Sequence, residues 1–115
     1  MNNAALATRV ERDIVGAMSR SHVIAKIREN SERLRALGAG AVYLYGSHAR
    51  DEASPASDVD IFIDRQPGAR FTFIELTEFE VLLSEALHTD VDVSTRSGLH
   101  PASSAEIEQS AVRVL

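Results

Sequence analysis

Hydrophobic residues recur along this chain with two distinct periods. From residue 22 to about 37, Val23, Ile24, Ile27, Leu34 and Leu37 return every three or four positions, with Ser21 placed to cap and Gly38 to Gly40 to stop the run. The spacing predicts a helix there. A second helix is predicted over about 72 to 87, where Phe73, Leu76, Phe79, Leu83 and Leu87 form one stripe after a Pro67-Gly68 turn. Between and after these lie short apolar runs of strand type: Ala41 to Tyr45 bounded by glycine, Asp58 to Ile63, and Asp90 to Ser94. A short helix around Ser104 to Ser110 and a terminal strand at Val112 to Leu115 complete the pattern. Ahead of it, Leu6, Val10, Ile14 and Ala17 repeat at helical spacing and predict a modest helix from Asn2 to Ala17. The domain reading is a helical extension over 1–20 followed by one domain over 21–115. Strands interleaved with helices imply an α/β (α+β) fold, a small mixed sheet of three to four strands flanked by helices.

The strand period places the polar residues as firmly as the apolar ones. In Asp58-Val59-Asp60-Ile61-Phe62-Ile63 alternate side chains point to opposite faces, so Asp58 and Asp60 stand together, about 7 Å apart at Cα, with Val59, Ile61 and Ile63 behind them. Asp90-Val91-Asp92-Val93 repeats the arrangement. Carboxylates crowded in this way repel one another unless protons or cations neutralise them. Oxygen-only ligands select a hard cation, and Mg²⁺ typically takes one or two carboxylates and completes its shell with water and phosphate oxygens.

Upstream, Gly46-Ser47 joins the first strand to the expected start of a helix, where free backbone N–H groups attract an anion. Arg50 lies one turn further on and can add charge-assisted contacts to a phosphate. Phosphate cradle, metal cluster and a further carboxylate are the parts that two-metal phosphoryl transfer needs, so two Mg²⁺ ions are expected.

Composition narrows the field. The chain has 115 residues, a formal net charge of -5, a pI near 5.3 and no cysteine. The acidic balance argues against a broad basic face, so no direct nucleic-acid binding is expected. Without cysteine there is no disulfide framework, thiolate metal site or cysteine nucleophile. No apolar run approaches the roughly 20 residues that cross a bilayer, and no signal-peptide pattern opens the chain; no membrane association and a cytoplasmic location are expected. A domain this small favours an open cleft, or a site completed by a partner, over a deep pocket.

Gly46-Ser47-His48-Ala49-Arg50 followed by Ser57-Asp58-Val59-Asp60 resembles the signature of the DNA polymerase β-like nucleotidyltransferases, and within that superfamily the chain is most similar to the minimal nucleotidyltransferases (MNT) of prokaryotes. The resemblance runs from about Val23 to Leu115. It implies that Asp58 and Asp60 bind metal and that Asp92 is the third carboxylate, which helps to bind metal and activates the attacking hydroxyl. Asp90 competes for that role; Asp92 stands between two valines as the family's third aspartate stands between apolar residues. Gly46, Ser47, Arg50 and Ser57 are the implied nucleotide-binding positions. Asp51 occupies a place where many members have glycine. Family members of this size commonly act as antitoxins of helical HEPN-domain toxins, in a hetero-oligomer, and some add AMP from ATP to a tyrosine of that partner. Two alternatives stand beside this reading: an antitoxin that neutralises by contact alone, and a small-molecule enzyme acting on an aminoglycoside-like hydroxyl, which usually needs an additional helical domain.

Each residue also has a plainer reading. Gly46 can be a turn residue and Ser47 a cap; Arg50 can be a surface cation; His48 can touch phosphate or pack. His22, His88 and His100 read as surface residues, Glu52 and Asp64 as solvated, and Tyr43 and Tyr45, which share a face, as core or rim. The Phe73 to Leu87 stripe reads as helical core, with a partner surface as its second use.

Overall fold

The computed structural model describes residues 18–115, and the helix expected from Asn2 to Ala17 lies outside them. The elements in order are α1 (Arg20–Glu29), α2 (Ser31–Ala36), β1 (Ala39–Tyr45), the single-turn α3 (Gly46–Ala49), β2 (Val59–Arg65), α4 (Phe73–Leu87), β3 (Val91–Thr95), a 3₁₀ turn (Arg96–Gly98), α5 (Ser104–Ser110) and β4 (Val112–Arg113). The four strands form one sheet in the order β3-β2-β1-β4. β1 is antiparallel to β2 and β4, while β2 and β3 are parallel, which gives the mixed sheet expected. Among the described residues no helix is long and apolar enough to cross a membrane.

Where one helix was expected over 22 to 37 there are two. Asn30 turns its side-chain amide back to the Lys26 carbonyl at 3.0 Å and its own N–H to Ile27, so a residue prone to local side-chain hydrogen bonding ends the first helix. The cap also differs: Ser19, not Ser21, accepts the His22 N–H at 3.2 Å. α4 begins where the pattern places it, because Thr72 and Glu75 form a reciprocal capping box.

One face of the sheet is covered. Val42 and Leu44 of β1, Val59, Ile61 and Ile63 of β2, and Val91 and Val93 of β3 pack against Val23 and Ile27 of α1, Leu34 of α2, and Phe79, Leu83 and Leu87 of α4. The α4 stripe meets this core from Leu76, which is partly buried, and is fully buried from Phe79 onward. Phe73, read as core from its period, is 74% exposed, since periodicity fixes a helix's angular face and not how far the helix extends past its sheet.

The opposite face carries the polar residues, with one exception. Phe62 is completely buried there, stacked on Tyr43 at 4.7 Å between ring centroids and roofed by the Arg96 guanidinium 5.0 Å above it. Arg96 also donates from Nε and Nη2 to the two oxygens of Asp64, at 2.8 and 2.9 Å, and sits 3.5 Å from Glu108. It thereby pins the segment joining β3 to β4 across this face. Asp64 is therefore not the solvated carboxylate its sequence position indicated: the bidentate pair holds its carboxyl below the ordinary range. Half-exposed, the pair contributes at most about 1 kcal/mol, so its value is mainly orientation.

Candidate active site

The polar face turns acidic at the end where β1 finishes and β2 and β3 begin. The strand register sets Tyr45 opposite Asp60, and Asp60 opposite Asp92, so three side chains form a line across three strands. Asp58 precedes β2 on the same side and is exposed, as is Asp92; Asp60 between them is half-buried. Burial raises the Asp60 carboxyl above its usual range, and the negative charges of Asp92 and Asp58 raise it further, with Arg50 pulling the other way. Asp90 is not among the groups that perturb it, and its carbonyl is spent on the Val59 N–H at 3.0 Å. The register thus sets Asp92 opposite Asp60. Among the described residues no three acidic or histidine side chains converge as a ready-made cation cage. The carboxylates share a patch, spread as like charges spread.

Gly46 closes the patch from above. Its backbone has φ +74, and a Cβ built there would collide with the Asp60 carboxylate. The residue opening α3 must therefore be glycine twice over, for its left-handed conformation and for the close approach of Asp60. Ser47 follows within the same turn, whose leading N–H groups have no intrahelical partner. Arg50 ends the turn on the exposed rim, donating to Glu52 at 2.9 Å. Ser57 is engaged inside its loop, accepting the Ser54 N–H at 2.9 Å, and so shapes the entry to β2.

Two residues hold this corner together by contacts that sequence reasoning did not resolve. His48 is 1% exposed and its Nδ1 lies 3.1 Å from the Asp58 carbonyl. A carbonyl can only accept, so Nδ1 carries the proton, and burial lowers the imidazole pKa and keeps the ring neutral. His48 packs and positions rather than touching phosphate. Asp51 adopts φ +58, a left-handed conformation that favours glycine, and its carboxylate accepts the Arg20 N–H at 2.9 Å, tying α1 to the turn. Replacing His48 with leucine, similar in volume but unable to donate, should cost about 1–3 kcal/mol by leaving the Asp58 carbonyl unpaired. A chemical-denaturation midpoint unchanged from wild type would refute that role.

An open cleft of about 730 Å³ lies elsewhere, lined by Asp64, Phe71, Arg96, Leu99 and Glu108 among others, and includes none of the three aspartates.

Residues 24–114 match the model of the nucleotidyltransferase domain, a span that contains the Gly46 turn and all four strands. The chain belongs to the nucleotidyltransferase domain family. A protein of Methanocaldococcus jannaschii described as a candidate protein adenylyltransferase is 35% identical over 72 residues, covering 63% of this chain and 75% of that one. A solved structure of a candidate minimal nucleotidyltransferase superposes with a TM-score of 0.70 at 25% identity, over 83% of this chain and 95% of the other. A second, described as a toxin-antitoxin with AMP-PNP, has a TM-score of 0.65 at 21% identity, over 80% and 72%, and shares the fold. As a nucleotidyltransferase, the chain is an α/β enzyme domain whose signature residues meet on one face of its sheet.

Proposed function

We propose that this protein transfers AMP from ATP to a hydroxyl of a partner protein, as the antitoxin of a cytosolic toxin–antitoxin pair whose toxin is a HEPN-domain protein and whose acceptor is a tyrosine. The observation that carries the catalytic half is the register of Asp60 against Asp92 directly beneath the Gly46 turn. The raised Asp60 carboxyl marks a charge cost that a divalent cation relieves, and hard oxygen donors suit Mg²⁺. Asp58, Asp60 and Asp92 would hold Mg²⁺, which when bound neutralises phosphate charge. The Gly46 and Ser47 amides receive the triphosphate, and Arg50 reaches it from the rim. Asp92 takes the proton of the acceptor hydroxyl as that oxygen bonds to the α-phosphorus. The bond from the α-phosphorus to the oxygen bridging to the β-phosphate breaks, and pyrophosphate leaves.

The protein acceptor is supported by the description of the Methanocaldococcus jannaschii relative, and the toxin by that of the structural neighbour carrying AMP-PNP. The test is to incubate the protein and the product of its neighbouring gene with Mg²⁺ and ATP labelled on the α-phosphate. Label on a tyrosine of the neighbour, lost when Asp58 and Asp60 are replaced, is the expected result. Neutralisation of the neighbour without label would replace this reading with contact-only inhibition.

A further inference from the structure

The row of side chains that passes from Tyr45 through Asp60 ends at Asp92, because β3 is the outer strand of the sheet. Along a strand, successive residues turn their backbone groups to alternate sides. The Asp90 carbonyl faces inward to the Val59 N–H, so the backbone groups of Val91 and Val93 face outward. Among the described residues that outer row has one partner: Glu80 of α4, whose Oε2 accepts the Val93 N–H at 3.2 Å. A carboxylate oxygen thus stands where the carbonyl of a further strand would stand. It shields an edge that is otherwise a template for strand addition.

The layout of the site says what that strand carries. The Gly46 turn, read above as the seat of the triphosphate, approaches Asp60 from the β1 side, so an acceptor hydroxyl comes to Asp92 from the other side, across the β3 edge. We propose that the polypeptide bearing the acceptor docks as a short added strand on the outer edge of β3, with its own carbonyl replacing Glu80 on the Val93 N–H and its hydroxyl residue opposite Asp92. Residues directly opposite on adjacent strands share a face, with Cβ atoms about 4.5–5.5 Å apart, so the register itself delivers the hydroxyl to the aspartate that takes its proton. The proposal rests on the reading of this chain as a protein adenylyltransferase, and it names how the acceptor is held. An extended polypeptide has the alternating backbone groups that the edge requires; a small-molecule alcohol has none.

The chain contains no cysteine, so Asp90→Cys gives it a single thiol, on the row of Asp92 two residues back and exposed. The full chain carrying this change is mixed with the product of the neighbouring gene, Mg²⁺ and an ATP analogue whose α–β bridge cannot be cleaved, and is then oxidised. Single cysteines in the neighbour two residues from the labelled tyrosine, on one side or the other according to strand direction, should form a disulfide with it. Cysteines one residue away should not, since they leave by the opposite face. Glu80→Ala, with folding checked by thermal melt, frees the Val93 N–H and should lower KM for the neighbour about fivefold, the usual net effect of one hydrogen bond, with KM for ATP unchanged. Glu80→Gln keeps an acceptor oxygen and should behave as wild type. Disulfides at one and two residues alike, or at neither, overturn strand docking, as does a KM for the neighbour that Glu80→Ala leaves unchanged or raises; adenylyl transfer then still stands. A wild-type chain that puts no label on the neighbour overturns the transfer reading and this proposal together.

Discussion

Nucleotidyl transfer falls by about a thousandfold or more when Asp58 and Asp60 are both replaced with asparagine, while the melting temperature holds or rises. The first half follows if the carboxylates hold the cations that stabilise transition-state charge, a contribution of several kcal/mol, each 1.36 kcal/mol of which is a tenfold rate change. The second half follows from Asp60 in the free protein. Its carboxyl is raised by burial first and by Asp92 and Asp58 next, so the folded chain keeps a proton that the unfolded chain has already released. The stability linked to this group is complete below the unfolded carboxyl pKa and is lost as pH rises through the raised folded value. At neutral pH ionised Asp60 therefore costs stability, and asparagine removes that cost at similar size. The difference in melting temperature between variant and wild type should shrink as the pH is lowered toward 4. Saturating Mg²⁺ should raise the wild-type midpoint by mass action and leave the variant's where it was. A variant that melts far below wild type at pH 7 would mean that the aspartates hold the fold, not the site.

Replacing Gly46 with alanine should remove about a hundredfold or more of the transfer rate and destabilise the chain. Two causes act together. A non-glycine residue at φ +74 costs roughly 1–2 kcal/mol, and the new Cβ meets the Asp60 carboxylate, which must move. Displacing a catalytic group by about 1 Å is enough for a hundredfold loss. A double-mutant cycle separates them, since in an Asp60→Ala background the collision is gone and only the backbone cost is left. The stability penalty of Gly46→Ala should be smaller there than in wild type. Equal penalties in both backgrounds would mean that Gly46 matters for its backbone alone.

Much of this site was legible beforehand because its information is local. The alternation in Asp58-Val59-Asp60 fixes which side chains share a face whatever the strand pairs with, and Gly46-Ser47 at the end of an apolar run marks a turn by composition. The same locality explains the failures. Period alone could not say that α4 extends beyond the sheet and leaves Phe73 in solvent, or that Asn30 would divide the first helix. Asp64 looked solvated because its partner Arg96 is 32 residues away. Tyr45, read as core or rim, packs on Phe62 at the rim, and only the strand register sets it opposite Asp60.

The sequence by itself determined most of the elements, the chemistry available and the face on which the aspartates of each strand lie, because strand and helix periods are properties of the local backbone. Only the tertiary structure decided that β3 runs parallel to β2 in the register that sets Asp92 beside Asp60, that His48 turns inward to hold the Asp58 carbonyl, and that a Cβ at Gly46 would meet the Asp60 carboxylate. Register and close approach arise when a common core is packed, and the packing that sets them joins residues distant along the chain.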